Sequence, residues 1–140
     1  MKALAIAGAV SDKKGLDTVL IRMKKVSSVC DYFVITSGTS TTHVRAIADY
    51  IEEKLLRKSV RLWHSEGQAE ASWVVLDYGD VVAHVFLEDK RRFYNLERLW
   101  CDAPQEMFSE KTPAKRLKIR RTKAKRVMPK RRRQRGKRKN

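Results

Sequence analysis

The sequence predicts an α/β domain, a mixed five-stranded sheet with flanking helices. Three observations predict it. Several short stretches alternate apolar and polar residues with period two. One longer stretch repeats apolar residues at helical spacing. The order of the stretches places a strand-helix-strand crossover ahead of a tight hairpin.

The first element is a short helix. Lys2 followed by the apolar run Ala3 to Val10 resembles an export signal, and Ala7-Gly8-Ala9 resembles its cleavage site. The run is shorter than export needs, and far below the roughly 20 apolar residues of a membrane span. A short helix packed on the domain is expected instead, with Gly8 weakening it.

After Gly15, residues Leu16 to Met23 read as a strand, with Val19 and Ile21 on one face and Thr18, Leu20 and Arg22 on the other. Ser27 and Ser28 mark a turn. Asp31 to Thr36 is a second strand, apolar on both faces and therefore expected at the centre of the sheet.

Ser37 to Thr42 is a polar connection in which Ser40 or Thr41 can cap the following helix. Val44, Ile47, Ala48, Ile51 and Leu55 then form one buried stripe, with Arg45, Asp49, Glu52, Glu53 and Lys54 on the wet side.

Val60 to Trp63 reads as a third strand and His64 to Ser72 as a polar loop. Trp73 to Asp77 and Val81 to Leu87 are two more strands, joined by Tyr78-Gly79-Asp80 as a hairpin. Asp89 opens a last helix, expected to turn Phe93, Leu96, Leu99 and Trp100 toward the core, and Pro104 follows its end.

Charge divides the chain in two. Residues 1–110 hold 15 Lys and Arg against 16 Asp and Glu, a net of −1. Residues 111–140 hold 17 Lys and Arg and no acid. The expected organisation is a folded domain over 1–110 and a basic, disordered tail over 111–140, because so charged a segment buries too little to offset its ordering entropy. The two cysteines, Cys30 and Cys101, are too few for a disulfide framework and have no metal-binding spacing. Reduced thiols and a cytoplasmic location are the simplest expectation.

Three segments carry a resemblance: Asp31 to Leu55 (DYFVITSGTSTTHVRAIADYIEEKL), the Glu66-Gly67 loop running into Ser72 to Phe86 (SWVVLDYGDVVAHVF), and Arg91 to Trp100 (RRFYNLERLW). In order and spacing they resemble the ribosome silencing factor family, also called the Iojap family. The resemblance implies a nucleotidyltransferase-like fold without that fold's catalysis. It implies binding to large-subunit ribosomal protein L-fourteen, on a surface the small subunit needs for joining. It also implies that free protein can form homodimers, and it leaves a role in large-subunit assembly as the alternative. The first helix is shorter than is usual in the family, and the basic tail is not a common family feature.

The residues argue for binding over catalysis. A nucleotidyltransferase needs clustered carboxylates for two metal ions beside a Gly-Ser turn. Ser37-Gly38 is followed by Thr42, His43 and Arg45, with no acidic pair. Asp77 and Asp80 lie together, but on a hairpin turn, where carboxylates are usually turn-formers. His43, His64 and His84 have no metal spacing, and Asp31 beside Cys30 disfavours a thiolate. No catalytic residue, metal or cofactor is expected.

A partner surface is expected instead from Glu66, Glu70, Trp73, Asp77, Tyr78, Asp80, Arg91 and Arg92. An aromatic anchor among carboxylates suits a basic protein partner. Trp73 as plain core is the competing reading, whereas Tyr78 on its turn is expected to be exposed. Arg91 and Arg92 open a helix, where cations oppose the dipole, which hints at a carboxylate within the fold or a partner contact. In the tail, Arg120, Arg121, Lys130, Arg131, Arg132 and Arg133 are expected to contact ribosomal RNA phosphates by counterion release, since no aromatic residue stands among them to stack on bases.

Overall fold

Lys2–Asp12 forms helix α1, and its buried side chains Ala3, Ile6, Ala7, Ala9 and Val10 explain why a helix with a central glycine persists. Glycine costs about 1 kcal/mol in a helix interior, less than the burial of one isoleucine returns. The structure, a computed structural model, describes residues 2–109.

Nine further elements follow: β1 (Leu16–Arg22), β2 (Tyr32–Gly38), α2 (Thr41–Arg57), β3 (His64–Glu66), β4 (Trp73–Asp77), β5 (Val81–Leu87), α3 (Glu88–Tyr94), α4 (Leu96–Leu99) and β6 (Gln105–Met107). In α2 the predicted stripe Val44, Ile47, Ala48, Ile51 and Leu55 is buried, and the Ser40 side chain accepts the His43 backbone N–H at 3.1 Å as the N-cap. The larger stripe residues contribute on the order of 2 kcal/mol each by burial, more than propensity does.

The six strands run β3-β4-β5-β2-β1-β6. β2 pairs parallel with β5 and antiparallel with β1, so it is central, as its two apolar faces predict. β4 and β5 form the expected antiparallel hairpin, and Gly79 sits in its turn at φ +91°. A Cβ there would lie 2.9 Å from the Trp63 ring.

Four expectations are corrected. The sheet has six strands, not five, because Gln105–Met107 pairs with β1 through backbone groups that its side chains do not advertise. The third strand is His64–Glu66 and not Val60 to Trp63. Val60 N–H donates to Leu55 O as the chain leaves α2, and ladder bonding starts where Trp63 N–H meets Asp77 O at 2.8 Å. The last helix is two helices, broken at Asn95, whose φ of 46° is left-handed and whose side chain caps α4 through Arg98 N–H. Phe93 and Leu99 are consequently exposed, at 77% and 68%, instead of facing the core.

Helices α1 and α2 cover one side of the sheet, packing on Leu20, Val34, Val74, Leu76, Ala83 and Val85. The opposite side carries a smaller core: Val19, Ile21, Met23, Cys30, Ile35, Val82, Phe86 and Ala103, with Leu96 and Trp100 against it. Among the described residues no helix is long and apolar enough to cross a membrane.

Candidate protein-docking face

Residues paired across a sheet point to the same side. On the side away from α1 and α2, the register gives three rows. One runs Ile21, Phe33, Val82, Asp77, His64. The next runs Val19, Ile35, His84, Val75, Glu66, and the third Ser37, Phe86, Trp73. Toward β1 this face is sealed, since Val19, Ile21 and Ile35 are buried beneath Leu96, Trp100 and Ala103. Toward β4 it opens: Phe33, Trp73 and Val75 are half-buried, and His64 and Glu66 are exposed.

The open part is aromatic. The Trp73 ring stacks on Phe86 at 4.9 Å and meets Tyr94 at 4.6 Å, and Tyr94 meets Phe93 edge-on at 5.0 Å. Phe33 meets His84 edge-on at 4.6 Å and Trp100 at 6.2 Å. The Trp73 indole Nε1–H donates to His84 Nδ1 at 3.1 Å. Burial lowers the His84 imidazole from 6.5 to about 4, so it is neutral and its Nδ1 lone pair is free to accept.

The predicted partner-binding residues divide. Trp73, Asp77 and Glu66 share this face. Glu66 Oε2 lies 2.7 Å from His64 Nε2, and Asp77 Oδ1 accepts the Gly79 N–H at 2.8 Å. Asp77 therefore serves its turn as well as the surface. Gly67, next to Glu66, has φ +91°, and a Cβ there would fall 2.0 Å from the Trp73 carbonyl oxygen. The turn before β4 thus needs a glycine to lie so close to the strand that carries Trp73. Glu70 is exposed in that turn.

The others lie elsewhere. Asp80 is exposed and pairs with Lys2 of α1 at 2.7 Å, so it ties the hairpin to the helical side. Tyr78 is 1% exposed, packed in the helical core, which corrects its expected exposure. Burial pushes its phenol up to about 12. Hairpin turns lie at surfaces, but α1 and α2 cover this one's side-chain pocket.

Arg91 is buried and its five N–H groups are taken: Nε and Nη2 donate to Glu97 Oε2 at 2.9 and 2.7 Å, Nη1 to Leu16 O and Ser37 Oγ, and Nη2 to Asp17 O. Arg91 and Arg92 stand in the last turn of α3 and do not open it as expected, so the dipole favours them. Arg91 still meets a carboxylate within the fold, and no donor remains for a partner. Arg92 is exposed beside Glu88 and Asn95 at the rim of an open recess of about 480 Å³. The tail residues Arg120, Arg121, Lys130, Arg131, Arg132 and Arg133 lie outside the described residues.

Sequence reasoning missed Phe33, His84 and Tyr94 as members of this face and assigned Phe93 and Leu99 to the core. One signal was present. Asn95 followed by Leu-Glu-Arg-Leu is an N-cap pattern that breaks the last helix and turns its apolar residues outward.

The same geometry bears on catalysis. Burial first, then the Asp31 charge, pushes the Cys30 thiol up to about 11, which leaves it a poor nucleophile. Among the described residues no three His, Cys, Asp or Glu side chains gather into a metal-holding group.

Comparison with known proteins gives a consistent picture. A family model described as "Ribosomal silencing factor during starvation" matches residues 1–139. A Bacillus subtilis protein named "Ribosomal silencing factor RsfS" is 45% identical over 98 residues, 70% of this chain and 83% of that protein. A crystal structure of a Chromobacterium violaceum protein is 30% identical with a TM-score of 0.71, and the match covers 82% of this chain and 93% of that one. A mouse protein named "Mitochondrial assembly of ribosomal large subunit protein 1" is 36% identical over 87 residues, 60% of this chain and 38% of that protein.

Proposed function

The chain belongs to the ribosomal silencing factor family, and on that premise we propose that it represses translation by binding the large ribosomal subunit through ribosomal protein L-fourteen, blocking association with the small subunit. It acts by occupancy, without turnover, in the cytoplasm. The observation that carries this reading is the half-open aromatic face, where Trp73 stacks on Phe86 and meets Tyr94 at 4.6 Å, with the carboxylates of Glu66 and Asp77 on the same side of the sheet. Half-buried aromatics at the centre of a patch are the usual energetic anchors of interfaces, and carboxylates at its rim complement a basic ribosomal protein.

Residues 111–140 are the second binding element. Their 17 cations and lack of acid suit ribosomal RNA phosphates, with Arg120, Arg121, Lys130, Arg131, Arg132 and Arg133 as contacts. When no ribosome is present, the same apolar face serves a homodimer, which screens Trp73 and Phe93 from water.

The test is subunit joining. Purified full-length protein, added to free large subunits before small subunits, lowers the yield of joined ribosomes. Undiminished joining at saturating protein defeats the reading.

A second reading, large-subunit assembly with a tail that binds ribosomal RNA, draws on the name of the mouse relative. The particle recovered with the protein separates the two: mature subunits favour silencing, precursors favour assembly.

A further inference from the structure

We propose that His84 is the positioning residue of the docking face: by accepting the Trp73 indole N–H, it holds that ring so that the partner meets an apolar plate whose indole donor is already taken. This rests on the docking reading above and deepens it, because it states the chemistry the partner must offer at Trp73. That chemistry is an apolar patch on a basic protein, without an acceptor set aside for the indole.

The register makes the contact. Trp73 opposes Phe86 and Val75 opposes His84, so the imidazole stands diagonally across one strand from the indole. Diagonal neighbours lie within reach of aromatic side chains. The bond is 3.1 Å, from Trp73 Nε1–H to His84 Nδ1. His84 is itself fixed, 7% exposed and met edge-on by Phe33 at 4.6 Å. Phe86 and Tyr94 flank the indole, so its orientation is set from three directions.

Folding alone gives no reason for a histidine here. Its neighbours on this side of the sheet are Ile35, Val82 and Phe86, and an apolar residue would fit them. With Nδ1 accepting, the proton sits on Nε2, and that N–H has no hydrogen-bond partner among the described residues. A buried, unsatisfied donor carries a stability cost that a leucine avoids. The nitrogen that does have a partner is Nδ1, and that partner is the Trp73 indole N–H. An indole N–H turned inward and satisfied also removes a donor that would otherwise have to be desolvated when a partner docks.

Two nearly isosteric variants of the full chain test the role. In His84→Asn the amide oxygen can take the place of Nδ1, whereas His84→Leu fills a similar volume and has no acceptor. The readouts are the thermal transition, solvent exchange of the Trp73 indole N–H by NMR, and affinity for large subunits. The expected result for His84→Leu is a fold as stable as wild type or more so, faster indole exchange, and affinity lower by about tenfold. His84→Asn is expected to keep both indole protection and affinity.

Affinity that simply follows thermal stability, or a His84→Leu protein that binds as tightly as wild type, overturns the proposal. If a variant does not fold, the wild-type protein still decides. Its Trp73 indole must exchange more slowly than that of Trp63, which is 72% exposed; equal exchange also overturns the proposal. Failure of wild-type protein to bind large subunits would instead overturn the docking reading, and the indole measurement would still report on His84.

Discussion

Arg91 and Glu97 meet across the left-handed break at Asn95, with Arg91 Nη2 2.7 Å and Nε 2.9 Å from the same carboxylate oxygen. The remaining donors hold Leu16 O, Asp17 O and Ser37 Oγ, so one side chain joins α3, α4, β1 and β2. This clamp places the α3–α4 corner, and with it Tyr94 and Trp100, over the sheet.

Arg91→Ala should therefore cost about 3 kcal/mol of stability, since it leaves Glu97 and three other acceptors without their donor. Arg91→Lys should restore little, because an ammonium cannot reproduce the planar fork. Urea unfolding of both variants measures this, and a loss well under about 1 kcal/mol for Arg91→Ala would show that the clamp is not structural.

Trp73→Ala should weaken binding to large subunits by about thirtyfold, the effect of losing a hot spot of roughly 2 kcal/mol. The loss should persist at high salt. Removing residues 111–140 should instead matter most at low salt. With about six cations engaged, wild-type affinity should fall with a log-log salt slope of roughly −4 to −5. Titrations at several salt concentrations separate the two contributions, and identical salt slopes for intact and truncated protein would remove the tail from the interface.

Stability should fall in mild acid through His84. Its folded pKa of about 4 lies below the free value of 6.5, so the unfolded chain binds the proton more readily. Stability is therefore complete above pH 6.5 and is lost as pH falls toward 4, by roughly 3 kcal/mol if the shift is full. Denaturation across this window should show the slope in wild type and a flatter one in His84→Asn. Equal slopes would assign the acid sensitivity to other groups.

Thiol alkylation should discriminate the two cysteines. Cys30 is buried with its pKa pushed up to about 11, whereas Cys101 is exposed. At pH 8 Cys30 should react at least about 100-fold more slowly than a free thiol of pKa near 8.5, from its thiolate fraction alone. Peptide mapping after brief iodoacetamide treatment should find label on Cys101. Comparable labelling of Cys30 in the folded protein would contradict its burial.

Periodicity made much of the fold legible. The stripe from Val44 to Leu55 and the Ser40 cap define α2, and the two apolar faces of β2 place it centrally. Alternation in Trp73–Asp77 puts Trp73, Val75 and Asp77 on the less buried face of β4. Strands β3 and β6 escaped because each is three residues long at a sheet edge and held by backbone bonds, which leave no side-chain pattern. Tyr78 was misjudged, and Arg91 left between two roles, for a related reason. Whether a side chain is buried depends on what lies against it, and Glu97, Ser37 and the α1–α2 layer cannot be placed by spacing along the chain.

By itself, then, the sequence determined the longer helices and strands, the concentration of positive charge in residues 111–140, and the family. These follow from local composition and period, which are properties of neighbours in the chain. Only the tertiary structure decided which sheet face stays partly open, that Phe33, His84 and Tyr94 join Trp73 there, and that Arg91 is spent within the fold. Those outcomes depend on strand register and on where the corner at Asn95 settles, and both are fixed by contacts between residues far apart in the chain.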